Sequence, residues 1–148
     1  MILVKNKQRK VKVNVERLKE HAQKMLEIIG YPDFDLGILL TTSQEIHHYN
    51  KSYRGKNKPT DILSFPYHQL NAGEQISPQE EDDKNIGDLI ISPLYVKEDL
   101  EKWNESFDDR MDTLLAHGIA HLLGYDHETD EEYAAMQKIE KKLLKSIR

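Results

Sequence analysis

The spacing of apolar side chains predicts five helices along the chain. Residues Val15 to Ile29 repeat an apolar position every three or four residues, between Asn14, a suitable N-cap, and Gly30, a suitable helix stop. Similar start signals precede four further segments with this period. The predicted helices therefore run from Asn14 to Gly30, Thr42 to Arg54, Ser92 to about Asn104, Ser106 to Leu123, and Thr129 to Ile147.

Shorter segments rich in aliphatic residues predict β-strands between the helices. These strands are placed at Ile2–Val4, Val11–Val13, Leu36–Thr42, Ile62–Phe65 and Ile86–Ile91. Residues 67–85 lack any period and carry an acidic run at 80–83, which predicts an irregular surface loop. Strands and helices interleave without a regular strand–helix–strand repeat. The predicted fold class is therefore α+β, with one domain over residues 1–148 and helices packed on a small mixed β-sheet.

The composition suits a single folded domain and limits the chemistry available to it. The chain has 148 residues, of which 38% are hydrophobic and 32% are charged. It has no run of about 20 apolar residues that would predict a membrane helix, and Met1–Arg9 does not resemble a signal peptide. Cysteine is absent, which excludes disulfides and thiolate metal ligands. We therefore expect a cytoplasmic protein in which any metal is held by histidines or carboxylates.

Three of the seven histidines lie close together, at His117, His121 and His127. On a helix the first two are one turn apart and only about 40° apart around the axis, so both imidazoles share one stripe. Gly124 allows the chain to leave the helix in a left-handed conformation and return His127 toward that pair. Three imidazoles with an open position form the ligand set of catalytic zinc, which makes its bound water acidic near neutral pH. The segment is thus predicted to be a zincin-like metal-binding helix.

One residue separates this motif from zinc peptidases of the metzincin type. Those enzymes have the pattern H-E-x-x-H-x-x-G-x-x-H, in which the Glu after the first His is the general base. Gly118 occupies that position here. The spacing of the ligands is kept, but the proton acceptor of peptide hydrolysis is missing.

The distribution of charge is more informative than its sum. The net charge of −5 argues against a nucleic-acid partner. However, residues 1–15 and 51–58 carry only basic charges, whereas acidic residues concentrate at 80–83 and 126–132. Because salt screens each charge beyond about 8 Å, a local basic surface can bind phosphates whatever the total charge.

Three motifs together resemble the YbeY family of metal-dependent endoribonucleases. The first runs from Asn50 to Pro66 and reads NKSYRGKNKPTDILSFP. The second is Ile86–Ser92, which reads IGDLIIS. The third is the histidine motif, in which Gly118 and the pair Tyr125-Asp126 distinguish it from metzincins.

This resemblance implies a single-strand-specific endoribonuclease that acts in ribosomal RNA maturation, including processing of the 3′ end of 16S-type RNA, and in ribosome quality control. It implies one Zn²⁺ per chain, with Ni²⁺ or another divalent ion as a substitute in vitro, held by His117, His121 and His127. Arg54 and His117 are the catalytic residues that it implies. The implied partners are single-stranded RNA, ribosomal RNA and ribosomal particles, with no membrane partner.

Two further positions and two other functions stay open at this point. Family members often have a histidine where this chain has Thr113, and Asp126 suits either an orienting contact to the metal site or a turn at the helix exit. One alternative function is a zinc-dependent peptide hydrolase, which Gly118 disfavours. The other is a non-catalytic ribosome-assembly factor with a structural zinc, which requires a fourth ligand such as Asp126 or Glu128.

Overall fold

A four-stranded mixed sheet forms the centre of the molecule, and the structure, a computed structural model, describes residues 1–148. In chain order the strands are β1 (Ile2–Asn6), β2 (Asp35–Leu40), β3 (Ile62–Pro66) and β4 (Asn85–Ile91). Their spatial order is β1-β2-β4-β3. The pairs β1/β2 and β2/β4 are parallel, whereas β3 is antiparallel to β4. Since β3 is an edge strand, it tolerates Pro66 at its end.

Five α-helices surround this sheet, at α1 (Val15–Ile28), α2 (Ser43–Arg54), α3 (Pro93–Glu98), α4 (Phe107–Leu122) and α5 (Asp130–Lys145). Each begins after a polar residue whose side chain accepts a hydrogen bond from the backbone N–H three residues later. These caps are the five that the sequence predicts: Asn14, Thr42, Ser92, Ser106 and Thr129. The predicted α+β class, with helices on a small mixed sheet, is confirmed.

The helix α4 lies at the centre of the core. Its apolar side chains pack with α1, α5 and one face of the sheet in a single cluster of 22 buried residues. Side chains alternate across a strand, so Leu63 and Ile90 point to the opposite face, where they pack against Ile46 of α2. The sheet is therefore covered by α4 on one face and by α2 on the other.

Gly118 is the point of closest approach between α4 and the sheet. A methyl group at this position would lie 2.8 Å from a side-chain carbon of Leu89 and 2.9 Å from one of Ile62. Such distances are too short for carbon atoms, which pack at about 3.5 to 4.0 Å. The residue that replaces the metzincin Glu is thus a packing glycine, and its position faces the sheet.

Asp112 is a charged residue inside the apolar arc of α4, and only 2% of it is exposed. Its Oδ2 accepts a hydrogen bond from Arg17 Nη2 at 2.7 Å, and its Oδ1 lies 2.8 Å from His21 Nδ1. Both partners belong to α1. The buried carboxylate therefore joins α1 to α4, a role that the sequence pattern does not reveal.

Two elements differ from the sequence prediction. Val11–Val13 is not a strand, because the side-chain amide of Gln8 bonds to both backbone groups of Val11, at 3.0 Å to its N–H and 2.8 Å to its C=O. The amide thus makes the hydrogen bonds to the buried backbone of Val11 that a neighbouring strand would otherwise make. The third helix ends at Glu98 rather than near Asn104. The chain then tightens into a 3₁₀ turn over Leu100–Lys102, and Lys102 Nζ lies 2.8 Å from Asp99 Oδ1.

The other predicted boundaries lie close to those observed. The loop at 67–85 is irregular and largely exposed apart from one short 3₁₀ turn at Glu81–Asp83. No helix of the structure combines the length and the apolar character that crossing a bilayer would require.

Candidate metal centre and its cleft

The three clustered histidines meet at one point in space. One ring nitrogen from each of His117, His121 and His127 lies within 4.8 Å of the other two. The Nε2 atoms of His117 and His121 are 3.2 Å apart. Two nitrogens that share a tetrahedral zinc at about 2.0 to 2.1 Å would be about 3.3 Å apart. The donor set and its spacing therefore fit a metal ion.

The orientation of the first two imidazoles is fixed by contacts to their other ring nitrogens. His117 Nδ1 lies 2.8 Å from Glu140 Oε1, and His121 Nδ1 lies 3.0 Å from the carbonyl oxygen of Tyr125. A neutral imidazole that donates its Nδ1 proton to such an acceptor keeps a lone pair on Nε2. In that tautomer both Nε2 atoms can bind metal, and the two acceptors are of the kind that supports zinc-binding histidines.

The turn after α4 supplies both the third histidine and the acceptor for the second. Gly124 has φ +93°, and the N–H groups of Gly124 and Tyr125 bond to the carbonyls of His121 and Ala120. This is a Schellman motif, which ends a helix with a left-handed glycine. A side chain at Gly124 would also collide with the carbonyl of Leu70. The motif turns the chain so that His127 returns to the imidazole pair, as the sequence predicts.

Electrostatics favour neutral imidazole at His121. Its burial, together with the neighbouring His117 and His127, lowers the pKa of this residue below the usual value for histidine, since each disfavours the charged form. A metal binds neutral imidazole. His121 is therefore available as a ligand over a wider range of pH than an exposed histidine would be.

The three imidazoles line a cleft of about 980 Å³. Its walls come from β3 and the segment before it, from α4, and from α5. Arg54, the last residue of α2, lines the same cleft, as does Lys56 of the following loop. The buried side chain of Asn50 holds that loop in place by donating to the carbonyl of Lys58 at 2.9 Å. The structure thus brings Arg54 and the histidines to one cavity, although their roles stay predictions.

Other residues named in the sequence analysis have simpler contacts. Asp126 lines the cleft, and its Oδ1 accepts the backbone N–H of His127 at 2.8 Å, which is a turn contact. Neither Asp126 nor Glu128 belongs to the group that could share an ion. Thr113 lines the cleft and donates its hydroxyl to Glu105 Oε1 at 2.7 Å.

Sequence reasoning missed Glu140, which contacts His117. It is 23 residues away along the chain, and only the packing of α5 on α4 brings the two together. A carboxylate on the inward side of the last helix is the only signal that the sequence carries. That signal does not point to any particular histidine.

Comparison with known proteins agrees with the motifs. The chain matches the family model described as Endoribonuclease YbeY over residues 3–148. Endoribonuclease YbeY of Homo sapiens is 35% identical over 147 residues, which cover 99% of this chain and 87% of the human protein. The protein of the same name from Desulforamulus reducens is 37% identical over an alignment of 150 residues, which covers 99% of this chain and 96% of that protein.

A solution structure of a Thermotoga maritima protein has a similar fold. It aligns with a TM-score of 0.58 and 26% identity, over 97% of this chain and 89% of the other. The resemblance that the three motifs predict is confirmed, and so is the predicted class of enzyme. The chain belongs to the endoribonuclease YbeY family, whose members hydrolyse phosphodiester bonds in RNA.

Proposed function

We propose that this chain is a zinc-dependent endoribonuclease that cleaves single-stranded RNA in the cleft. In this proposal His117, His121 and His127 hold one zinc ion, and Arg54 and His117 are the catalytic residues. The observation that carries the proposal is that three convergent imidazoles and Arg54 line one cavity. Zinc suits this donor set because it accepts three imidazoles and leaves a position open.

When bound, zinc acts as a Lewis acid on a phosphoryl oxygen and lowers the pKa of water. The side chains of the protein position the substrate for this chemistry. Arg54 donates hydrogen bonds to the phosphate oxygens and stabilises the additional negative charge of the transition state. Lys56 attracts the neighbouring phosphates of the RNA backbone. His117 keeps its Nε2 aimed at the shared position because Glu140 holds its Nδ1.

The shape of the site supports a preference for single strands. The imidazoles line the cleft, and His117 and His121 are partly buried in it. A flexible single strand can bend its phosphate into such a cavity, whereas a regular duplex holds its phosphates on a rigid outer surface. We therefore expect duplex RNA of the same sequence to be a poor substrate.

The proposed biological role follows the family. It comprises ribosomal RNA maturation, including the 3′ end of 16S-type RNA, and ribosome quality control in the cytoplasm. Ribosomal particles are the proposed partners, and the basic surface of residues 51–58 supports contact with their RNA.

Two observations weigh against the alternative functions. Gly118 packs against Leu89 and Ile62, so the position of the metzincin base faces the sheet and has no room for a carboxylate. A structural zinc site normally has four protein ligands, whereas the group that could share an ion here has three members.

The test compares cleavage of one labelled RNA in single-stranded and duplex form by the zinc-loaded wild type, Arg54→Ala and Lys97→Ala. Lys97 is the control, since it is an exposed cation on α3 that lies outside both the cleft and the basic segment 51–58. We expect Arg54→Ala to keep its zinc and lose about 100- to 1000-fold in kcat, with Lys97→Ala close to wild type. Normal cleavage by Arg54→Ala would refute its catalytic role. Cleavage of peptides but not of RNA by the wild type would refute the proposed function.

A further inference from the structure

The chain's one tryptophan, Trp103, stands in the wall of the same cleft and has no part in the chemistry described above. It follows the 3₁₀ turn between α3 and α4, and 43% of its surface is exposed. Indole is a large, flat and apolar surface, and in the wall of a cleft that surface is available to a ligand.

One face of the Trp103 ring is covered by a rigid neighbour. The guanidinium carbon of Arg110 lies 3.6 Å from the ring centroid, a cation–π contact. Arg110 is itself only 7% exposed. The indole is therefore supported on one face, and the 43% of the residue that stays exposed is available to a ligand.

The charge of Arg110 is balanced within the protein. Its guanidinium nitrogens lie 3.8 Å from Asp61 Oδ2 and 3.7 Å from Glu105 Oε2. Glu105 is held in turn by the hydroxyl of Thr113. Because two carboxylates neutralise Arg110, this corner of the cleft does not attract phosphate as Arg54 and Lys56 do. This corner instead presents the flat aromatic ring of Trp103, which Arg110 supports.

The position of this surface relative to the imidazoles fits a neighbouring nucleotide. Arg110, Leu114, His117 and His121 all line the cleft from successive turns of α4. Arg110 is seven residues before His117, which is about 10 Å along the helix. A single-stranded RNA with one phosphate at the imidazoles would bring an adjacent base near Trp103.

We propose that Trp103, supported by Arg110, is a nucleobase-stacking subsite that binds an unpaired base next to the cleaved phosphate. This inference rests on the proposed function and extends it, since it identifies how the cleft recognises single-stranded RNA. A base within a duplex is already stacked and cannot bind this surface, whereas every unpaired base has a free face.

The test uses the zinc-loaded full-length chain and a short single-stranded oligonucleotide of 2′-O-methyl nucleotides, checked on a gel to be intact. Trp103 is the chain's only source of indole fluorescence. We expect this oligonucleotide to quench that fluorescence, and an abasic oligonucleotide with the same backbone to leave it unchanged at saturation. Equal quenching by both would overturn the proposal.

Binding of the labelled oligonucleotide to variants gives a second measure. Stacking of one base contributes enough that Trp103→Leu should weaken binding roughly 5- to 150-fold, while Trp103→Phe stays within a few fold of wild type. The slope of affinity against salt should not change in Trp103→Leu, whereas Lys56→Ala should lower it by about one unit. Tyr67→Leu is the control, because Tyr67 is an exposed aromatic residue outside the cleft.

The outcomes separate this inference from the proposed function. If the wild type cleaves RNA and Trp103→Leu binds the oligonucleotide as tightly as wild type, the stacking subsite is refuted and the nuclease function stands. If base-dependent quenching occurs and the wild type does not cleave RNA, the subsite stands and the nuclease function is refuted.

Discussion

His117 and Glu140 are joined by a contact of 2.8 Å between Nδ1 and Oε1, although 23 residues separate them in the sequence. Through this contact α5 sets the orientation of an imidazole that belongs to α4. The Nε2 atom of His117 consequently points to the Nε2 of His121, 3.2 Å away. The last helix is thus part of the candidate metal centre even though it supplies no ligand.

Replacing Glu140 should therefore weaken zinc binding without removing a ligand. We expect Glu140→Ala to lower zinc affinity about 10- to 100-fold, since the carboxylate orients the imidazole of His117. Competition with a coloured chelator measures this affinity. Glu131→Ala is the control, because Glu131 is exposed on the same helix and lies outside the cleft. Unchanged zinc affinity in Glu140→Ala would show that the contact does not support the site.

Gly118→Ala should destabilise the fold. The added methyl would lie 2.8 Å from Leu89 and 2.9 Å from Ile62, and overpacking of this kind costs about 1 to 3 kcal/mol. Because alanine has a higher helix propensity than glycine, it offsets up to about 1 kcal/mol of this cost. We expect the free energy of unfolding to fall by about 1 kcal/mol in a denaturant titration. A variant as stable as the wild type would show that the side chains of Leu89 and Ile62 can make room for the methyl group.

Asp112→Asn should loosen the junction between α1 and α4. The substitution keeps the size of the side chain but removes the charge that Arg17 and His21 contact. Hydrogen bonds to charged groups contribute about 1.5 to 3 kcal/mol, so we expect a loss of about 2 kcal/mol in the free energy of unfolding. Asp109→Asn, at an exposed position on the same helix, should change it much less. An equal loss in both variants would contradict the role of the buried contact.

The sequence predicts the helices and the histidine cluster well because both depend on local features. Caps such as Thr42 and Thr129 act over three residues, and Gly124 returns His127 over three more. These interactions are complete within one or two helical turns. Their geometry can therefore be predicted from short stretches of sequence.

The features that the sequence does not predict depend on contacts between distant or unexpected partners. Val11–Val13 has the alternation of a strand, but the Gln8 side chain takes the place of the neighbouring strand. Asp112 and Glu140 show no periodic signal, and their partners lie on other helices. Arg54 enters the cleft because α2 and β3 pack together, so only the family motif pointed to it beforehand.

In the proposed function, RNA cleavage depends on a zinc ion that the three imidazoles bind. The most direct test measures zinc content and cleavage of single-stranded RNA on the same preparations of wild type, His121→Ala and His48→Ala. His48 is an exposed histidine outside the cleft and serves as the matched control. We expect one zinc per chain and cleavage for the wild type and His48→Ala, and neither for His121→Ala. Full cleavage by a zinc-free His121→Ala protein would contradict the dependence of cleavage on this zinc.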